Sequence, residues 1–232
     1  MNQRDAIAEN LERVKERIAR ACLKSGRKQE EVRLVAVSKT VGVARIREAV
    51  ACGQLLFGEN YVQEALPKIR EIGPGVEWHF IGHLQSNKAK HVVGAFRMVQ
   101  TLDRLSLARE LDRRAQGGPP LEVLLQVNLA KEPTKSGVAA EELEGLLEAV
   151  TSMRGIRLHG LMTIPPLCHD PEEARPFFRM LRELRERLAP QVPKPHDLDE
   201  LSMGMTADLE VAVEEGATMV RVGTAIFGAR AA

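Results

Sequence analysis

The sequence predicts an α/β protein, a single (β/α)8 TIM-type barrel with parallel strands and an extra N-terminal helix. Three observations predict it. Eight short apolar runs, rich in branched residues, alternate with amphipathic segments along the chain. Parallel strands need crossover connections, so this alternation implies a parallel sheet, and eight units favour closure over an open sheet. The length of 232 residues suits one such barrel, which typically needs about 250. No linker, repeat or low-complexity tract divides the chain, so residues 1–232 are expected to form one domain. An open doubly wound sheet is the structural alternative, and the lack of a GxGxxG after the first strand counts against it.

The elements follow in order. Ile7, Leu11, Val14, Ile18 and Cys22 lie on one helical face, and Ser25-Gly26 ends that helix. Residues 32–37 (VRLVAV) read as a strand buried on both faces. A helix through Ile46, Ala49 and Val50 follows, with Gly53 at its C′ position. Further strands are expected at 54–58, 77–81, 97–101, 121–128, 156–162, 200–203 and 219–222. The helices between them are expected at 61–72, 87–93, 104–115, 140–152, 171–188 and 206–215. The helix at 171–188 shows Phe177, Leu181, Leu184 and Leu188 on one face. Only ten residues follow Val222, so no full helix closes the last unit and the N-terminal helix is expected to cover the gap.

Composition removes several functions. Lys+Arg is 33 and Asp+Glu 32, a net charge of +1. That balance gives no electrostatic case for nucleic acid or an anionic membrane. Cys22, Cys52 and Cys168 form no CxxC pair, so neither a disulfide framework nor a zinc site is expected, and reduced thiols in a cytoplasm fit. The first twenty residues alternate charged and apolar side chains and lack a secretory apolar core. No run approaches the ~18 apolar residues of a membrane span. There is no GxSxG and no Walker loop. His79 and His83 straddle a strand-to-loop turn without a third ligand nearby, so no metal is expected.

Barrels of this kind gather function at the C-terminal ends of their strands. Lys39 stands one residue beyond VRLVAV, after Ser38, at an apolar rim where desolvation favours the neutral amine. A neutral amine is the form that attacks an aldehyde to make a Schiff base. The alternative is a lysine that reaches solvent or pairs with a carboxylate. In LSMGMTADLEVAV, Ser202 and Gly204 precede a helix with Thr206 near its N-cap, and Gly223-Thr224 follows the last strand. Such turns hold anions, and loops seven and eight are where barrels commonly hold phosphate. Ordinary helix capping is the other reading. Arg221, inside the apolar MVRVG, needs a buried acceptor. A ring nitrogen is one candidate, and an ion pair with Glu200 or Asp208 is another.

The segments AVSKT, GENYVQE, WHFIGHLQSNK, QVN…EPTKSG, LHGLMTI, LSMGMTADLEVAV and MVRVGTAIFGAR resemble the YggS/PROSC-type pyridoxal phosphate homeostasis proteins. The likeness runs from about Val32 to Arg230, in the family's order. That family has the fold of the N-terminal barrel of bacterial alanine racemase. The resemblance implies that pyridoxal 5′-phosphate is the cofactor and Lys39 its covalent attachment. It implies that Ser202, Gly223 and Thr224 hold the phosphate, helped by the backbone of Met203 and Gly204. It also implies that Arg221 faces the pyridine nitrogen and that Asn60, His83 and Met162 line the pocket near the ring.

A cation beside the pyridine nitrogen disfavours its protonation and weakens the electron sink. Racemisation also needs a second base, which in alanine racemase is a tyrosine of the partner subunit's second domain. The only tyrosine, Tyr61, lies on the loop after the second strand of this barrel. The expected role is therefore a cytoplasmic, monomeric carrier. It would buffer the aldehyde and release it to apo-enzymes or amino-acid pools, and no residue is assigned to catalysis. A monomeric amino-acid racemase of low activity is the alternative, and Lys135, in EPTKSG, is a rival site for the covalent bond.

Overall fold

Strands buried on both faces account for the eight apolar runs. The structure, a computed structural model, describes residues 3–132 and 135–228, with side chains from Ala6 onward. The strands are β1 (Arg33–Val37), β2 (Leu56–Glu59), β3 (Glu77–Phe80), β4 (Met98–Leu102), β5 (Leu121–Gln126), β6 (Ile156–Met162), β7 (Glu200–Ser202) and β8 (Met219–Val222). They pair in parallel and in chain order, and β8 returns to β1 from Arg33↔Met219 to Ala36↔Val222, closing the barrel. The (β/α)8 fold expected from the sequence is the fold found.

Around the barrel lie α1 (Gln3–Lys24), α2 (Val43–Ala51), α3 (Val62–Ile72), α4 (Leu105–Ala115), α5 (Leu143–Thr151), α6 (Arg175–Leu188), α7 (Leu209–Glu214) and α8 (Thr224–Phe227). The last has four residues, and α1 packs against α7, α8 and α2, filling the place a full eighth helix would take. The expected helix at 87–93 is instead a 3-10 turn, Ser86–His91, of which only Ala89 is buried. A segment without an apolar stripe has no tertiary packing to hold it as an α-helix. The expected helix at 171–188 splits into a 3-10 turn, Pro171–Ala174, and α6. Phe178, not Phe177, joins Leu181 and Leu188 in full burial.

The start of α7 also differs. The Met205 N–H donates to Asp208 Oδ1 (2.6 Å), and Asp208 N–H returns a bond to the Met205 carbonyl (3.2 Å). This closed turn pushes the first helical residue to Leu209, three positions past Thr206. The barrel lumen holds a separate apolar cluster of Val35, Met98, Leu124, Met162 and Met219, with Leu56 against it. His79, Gln100, Ser202 and Arg221 are buried among them. Among the described residues no helix is long and apolar enough to cross a membrane. Pro133 and Thr134 of the EPTKSG loop, and residues 229–232, with which the family resemblance ends, lie outside the described residues.

Candidate functional site

β1 ends at Val37, and the next residues form the turn that carries Lys39. Both flanks of that turn are pinned to neighbouring elements. Ser38 Oγ donates to Glu59 Oε1 (2.7 Å) at the end of β2. Lys68 of α3 is buried, and its Nζ donates to the Ser38 carbonyl (2.7 Å), to Glu59 Oε1 (2.8 Å) and to Glu64 Oε1 (2.6 Å). The Thr40 N–H donates to the same Glu64 oxygen at 2.5 Å. Thr40 sits at φ +62°, a left-handed conformation that a β-branched residue holds only when its surroundings impose it. Burial pushes the Glu59 carboxyl up, and the bonds from Lys68 and Ser38 oppose that rise. Sequence reasoning missed this network. Its signal was available: Val62, Ala65 and Lys68 share the buried face of α3, and a lysine on an apolar stripe requires a partner.

Lys39 lines a cavity of about 190 Å³ together with Thr40, Arg45, Gly223, Thr224 and Phe227. The pairing of β1 with β8 brings these segments side by side. Thr224 Oγ1 donates to Thr206 Oγ1 (3.1 Å), so the loop after β7 reaches the same edge.

The rest of the LSMG segment faces elsewhere. Ser202 is fully buried, and its hydroxyl accepts from Arg221 Nη1 (2.7 Å) and donates to Gln100 Oε1 (2.6 Å) in the lumen. The Met203 N–H donates to the Met219 carbonyl (3.1 Å). Gly204 has φ +91°, and a Cβ there would lie 2.5 Å from Ala212 Cβ, so close packing against α7 accounts for this glycine. The polar groups of Ser202 and Met203 are thus committed below the rim. Gly223 and Thr224 stand at the Lys39 cavity, with Thr206 as the hydroxyl that sequence reasoning had read only as a cap.

Arg221 is 4% exposed, and its Nη2 donates to the Thr163 carbonyl (2.9 Å). Burial pulls its pKa down to about 10, against the attraction of Asp208, so it stays a cation at neutral pH. Neither carboxylate weighed for it is its hydrogen-bond partner. Glu200 pairs with Arg33 (2.7 Å) at the opposite end of the barrel, and Asp208 accepts from Met205.

Met162 is fully buried in the lumen cluster. Asn60 and His83 line a second cavity of about 200 Å³ with Thr101, Gln126, Lys135 and Ser136. Asn60 Oδ1 is buried without a hydrogen-bond partner, an acceptor awaiting a donor. The exposed His83 shares a 2.9 Å hydrogen bond between its Nδ1 and Ser136 Oγ. Lys135 Nζ donates to the Pro165 carbonyl (3.2 Å) and pairs with Glu132 (2.8 Å). Both cavities are built from the last residues of strands and the segments that follow them, at the C-terminal mouth of the barrel.

A sequence profile for the alanine racemase N-terminal domain matches residues 3–231. The chain belongs to the alanine racemase N-terminal domain family. Within it, the chain is 46% identical over 226 residues to a pyridoxal phosphate homeostasis protein of Aquifex aeolicus, covering 96% of this chain and 97% of the relative. It is 48% identical over 226 residues to the protein of the same name from Pseudomonas aeruginosa, covering 97% and 96%. The solved structure of PipY from Synechococcus elongatus with PLP bound superposes with a TM-score of 0.83 at 40% identity, covering 96% of this chain and all (100%) of that one. Alanine racemase from Corynebacterium glutamicum gives a TM-score of 0.71 at 19% identity and shares the fold. The match covers 96% of this chain and 60% of the racemase.

Proposed function

We propose that this protein binds pyridoxal 5′-phosphate covalently through Lys39 and buffers or delivers it in vitamin B6 homeostasis. The observation that carries this is a cavity lined by Lys39, Gly223 and Thr224, on the segments that follow the paired strands β1 and β8. The donor set suits a phosphorylated aldehyde. An amine stands on a turn braced from both sides, and the Thr206 and Thr224 hydroxyls meet at the cavity edge to receive a phosphate. The buried Arg221 cation would face the ring nitrogen. The unpaired Asn60 Oδ1 would accept from a ring hydroxyl, with His83 beside it. Met203 and Gly204 hold the loop, and Met162 supports the lumen beneath. The names of the relatives and the PLP-bound PipY structure support the same cofactor.

When bound, the cofactor would supply an aldehyde, and Lys39 would provide the amine that condenses with it, releasing water. This chain's residues favour storage over catalysis. Arg221 cannot serve as an acid to the ring nitrogen, since it keeps its proton at neutral pH. Tyr61 is exposed on the rim of the same barrel. The protein is read as one barrel domain over residues 1–232, acting as a monomer that hands the cofactor to apo-enzymes.

The test is a visible absorption spectrum of protein incubated with pyridoxal 5′-phosphate, before and after Lys39→Ala. Borohydride trapping and peptide mass mapping complete it. A band that Lys39→Ala abolishes, with the pyridoxyl label on Lys39, supports the reading, and a label on Lys135 overturns the site. Exchange of Cα protons of L-amino acids with solvent deuterium at enzyme-like rates would replace the carrier reading with that of a racemase.

A further inference from the structure

A chain of hydrogen bonds crosses the barrel lumen and ends on Arg221. Arg221 Nη1 donates to Ser202 Oγ (2.7 Å), and Ser202 Oγ donates to Gln100 Oε1 (2.6 Å). Gln100 Nε2 meets His79 Nδ1 (2.8 Å), and His79 Nε2 meets Glu77 Oε1 (2.7 Å). Ser202, Gln100 and His79 are each 0% exposed, whereas the Glu77 side chain is 41% exposed at the start of β3. The chain thus runs from the cation near the mouth, through β7, β4 and β3, to an anion on the opposite rim.

With the Gln100 carbonyl turned toward Ser202, valence fixes the direction of every bond. A guanidinium has no acceptor, so the Ser202 oxygen accepts from it. The one serine proton then goes to Gln100, whose amide carbonyl is its only acceptor. The Gln100 amino group is left facing His79, so Nδ1 carries a lone pair and the imidazole proton sits on Nε2, donated to Glu77. Burial lowers the His79 pKa, which keeps the ring neutral as this chain requires, and the bond from His79 holds the Glu77 carboxyl below its ordinary value. The second Gln100 N–H meets Met219 Sδ at 3.4 Å, so the amide is held on both sides.

We propose that Gln100 and His79 are positioning residues for the cofactor. Through Ser202 they hold the Arg221 guanidinium in the one orientation that addresses the pyridine ring. This rests on the pyridoxal phosphate reading above. A flipped amide would set two acceptors against each other at His79 and take from Ser202 the acceptor that fixes its hydroxyl, and the other imidazole tautomer would set two donors against each other between Gln100 and His79.

The test combines a measurement on apo protein with one on loaded protein. In ¹⁵N-histidine-labelled apo wild type, NMR should show His79 as the neutral Nε2–H tautomer. In protein loaded with pyridoxal 5′-phosphate, Gln100→Leu should shift the visible band and weaken binding about tenfold, equivalent to about 1.4 kcal/mol. Met98→Leu, a volume-conserving change of a lumen neighbour, should leave the band in place. A proton on Nδ1 in the wild type overturns the proposal without any variant, so it stays testable if Gln100→Leu does not fold. A Gln100→Leu protein with an unmoved band and unchanged affinity overturns it as well. If the wild type takes up no cofactor, the preceding reading fails and this proposal with it. Uptake with an inert Gln100→Leu sinks this proposal alone.

Discussion

Replacing Lys68 with methionine tests whether the brace around the Lys39 turn is what the geometry says. Methionine keeps the length of the stem and removes the charge. Three hydrogen bonds of 2.6 to 2.8 Å disappear, and Glu59, which is 0% exposed, is left with Ser38 as its partner. Breaking a buried pair by removing one member costs about 3–5 kcal/mol, because a charge stays behind uncompensated. For a chain of this size each kcal/mol lowers Tm by roughly 2–4 °C, so a drop of roughly 6–20 °C is expected. The pH dependence follows from Glu59. Its carboxyl is already raised in the folded state by burial, and loss of Lys68 raises it further. A carboxyl raised on folding contributes stability below its unfolded value, ~4.3, and that contribution is lost as the pH climbs through the folded value. The gap between wild type and Lys68→Met should therefore narrow from pH 8 to pH 5. Thermal melts followed by circular dichroism at both pH values measure it. A variant within 2 °C of wild type, or a gap indifferent to pH, would refute the brace.

Three further outcomes are expected. Gly204→Ala places a Cβ 2.5 Å from Ala212 Cβ at φ +91°. It should cost about 2–4 kcal/mol, combining left-handed strain of about 1–2 kcal/mol with overpacking, read as a fall in the urea midpoint. The double change Thr206→Val and Thr224→Val removes both hydroxyls at the cavity edge. Binding of pyridoxal 5′-phosphate should weaken by roughly tenfold or more while binding of pyridoxal, which has no phosphate, changes little, and equal losses for both ligands would remove the hydroxyls from the phosphate site. Lys39→Arg keeps a long basic side chain on the turn but offers no condensing amine, so the fold should persist and the visible band vanish.

What could be read from the sequence follows from where each signal resides. β6 and β8 coincide with their expected limits, since each is an apolar run with loop residues at both ends. The place of Lys39, two residues beyond the end of β1 at the barrel mouth, was legible because it follows such a run after Ser38 alone. Ser202 was not, because alternation along a strand decides whether a hydroxyl faces the lumen or the rim, and β7 is only three residues long. The pairing Ser202↔Met219 turns its hydroxyl toward Gln100, and the turn closed by Asp208 carries Thr206 to the rim in its place. The brace of Glu59, Glu64 and Lys68 depends on a tertiary contact spanning thirty positions, from Ser38 to Lys68. No local pattern specifies that contact, although a lysine on an apolar stripe announces that some partner exists.

The lumen itself separates stability from function. Val35, Met98, Leu124, Met162 and Met219 show that apolar side chains fill it well. Four buried polar groups in the same space are therefore not explained by the fold's own needs. Replacing buried charged networks by apolar residues of similar volume is often neutral or stabilising, by about 1–4 kcal/mol. The combined change Arg221→Met, Ser202→Ala, Gln100→Leu and His79→Leu removes every buried member at once, and Glu77 keeps its access to solvent. Its Tm should equal or exceed that of the wild type while uptake of pyridoxal 5′-phosphate falls by tenfold or more. An unfolded product would mean that the polar chain is structural. A folded product with intact binding would mean that the cation beneath the mouth does not face the ligand.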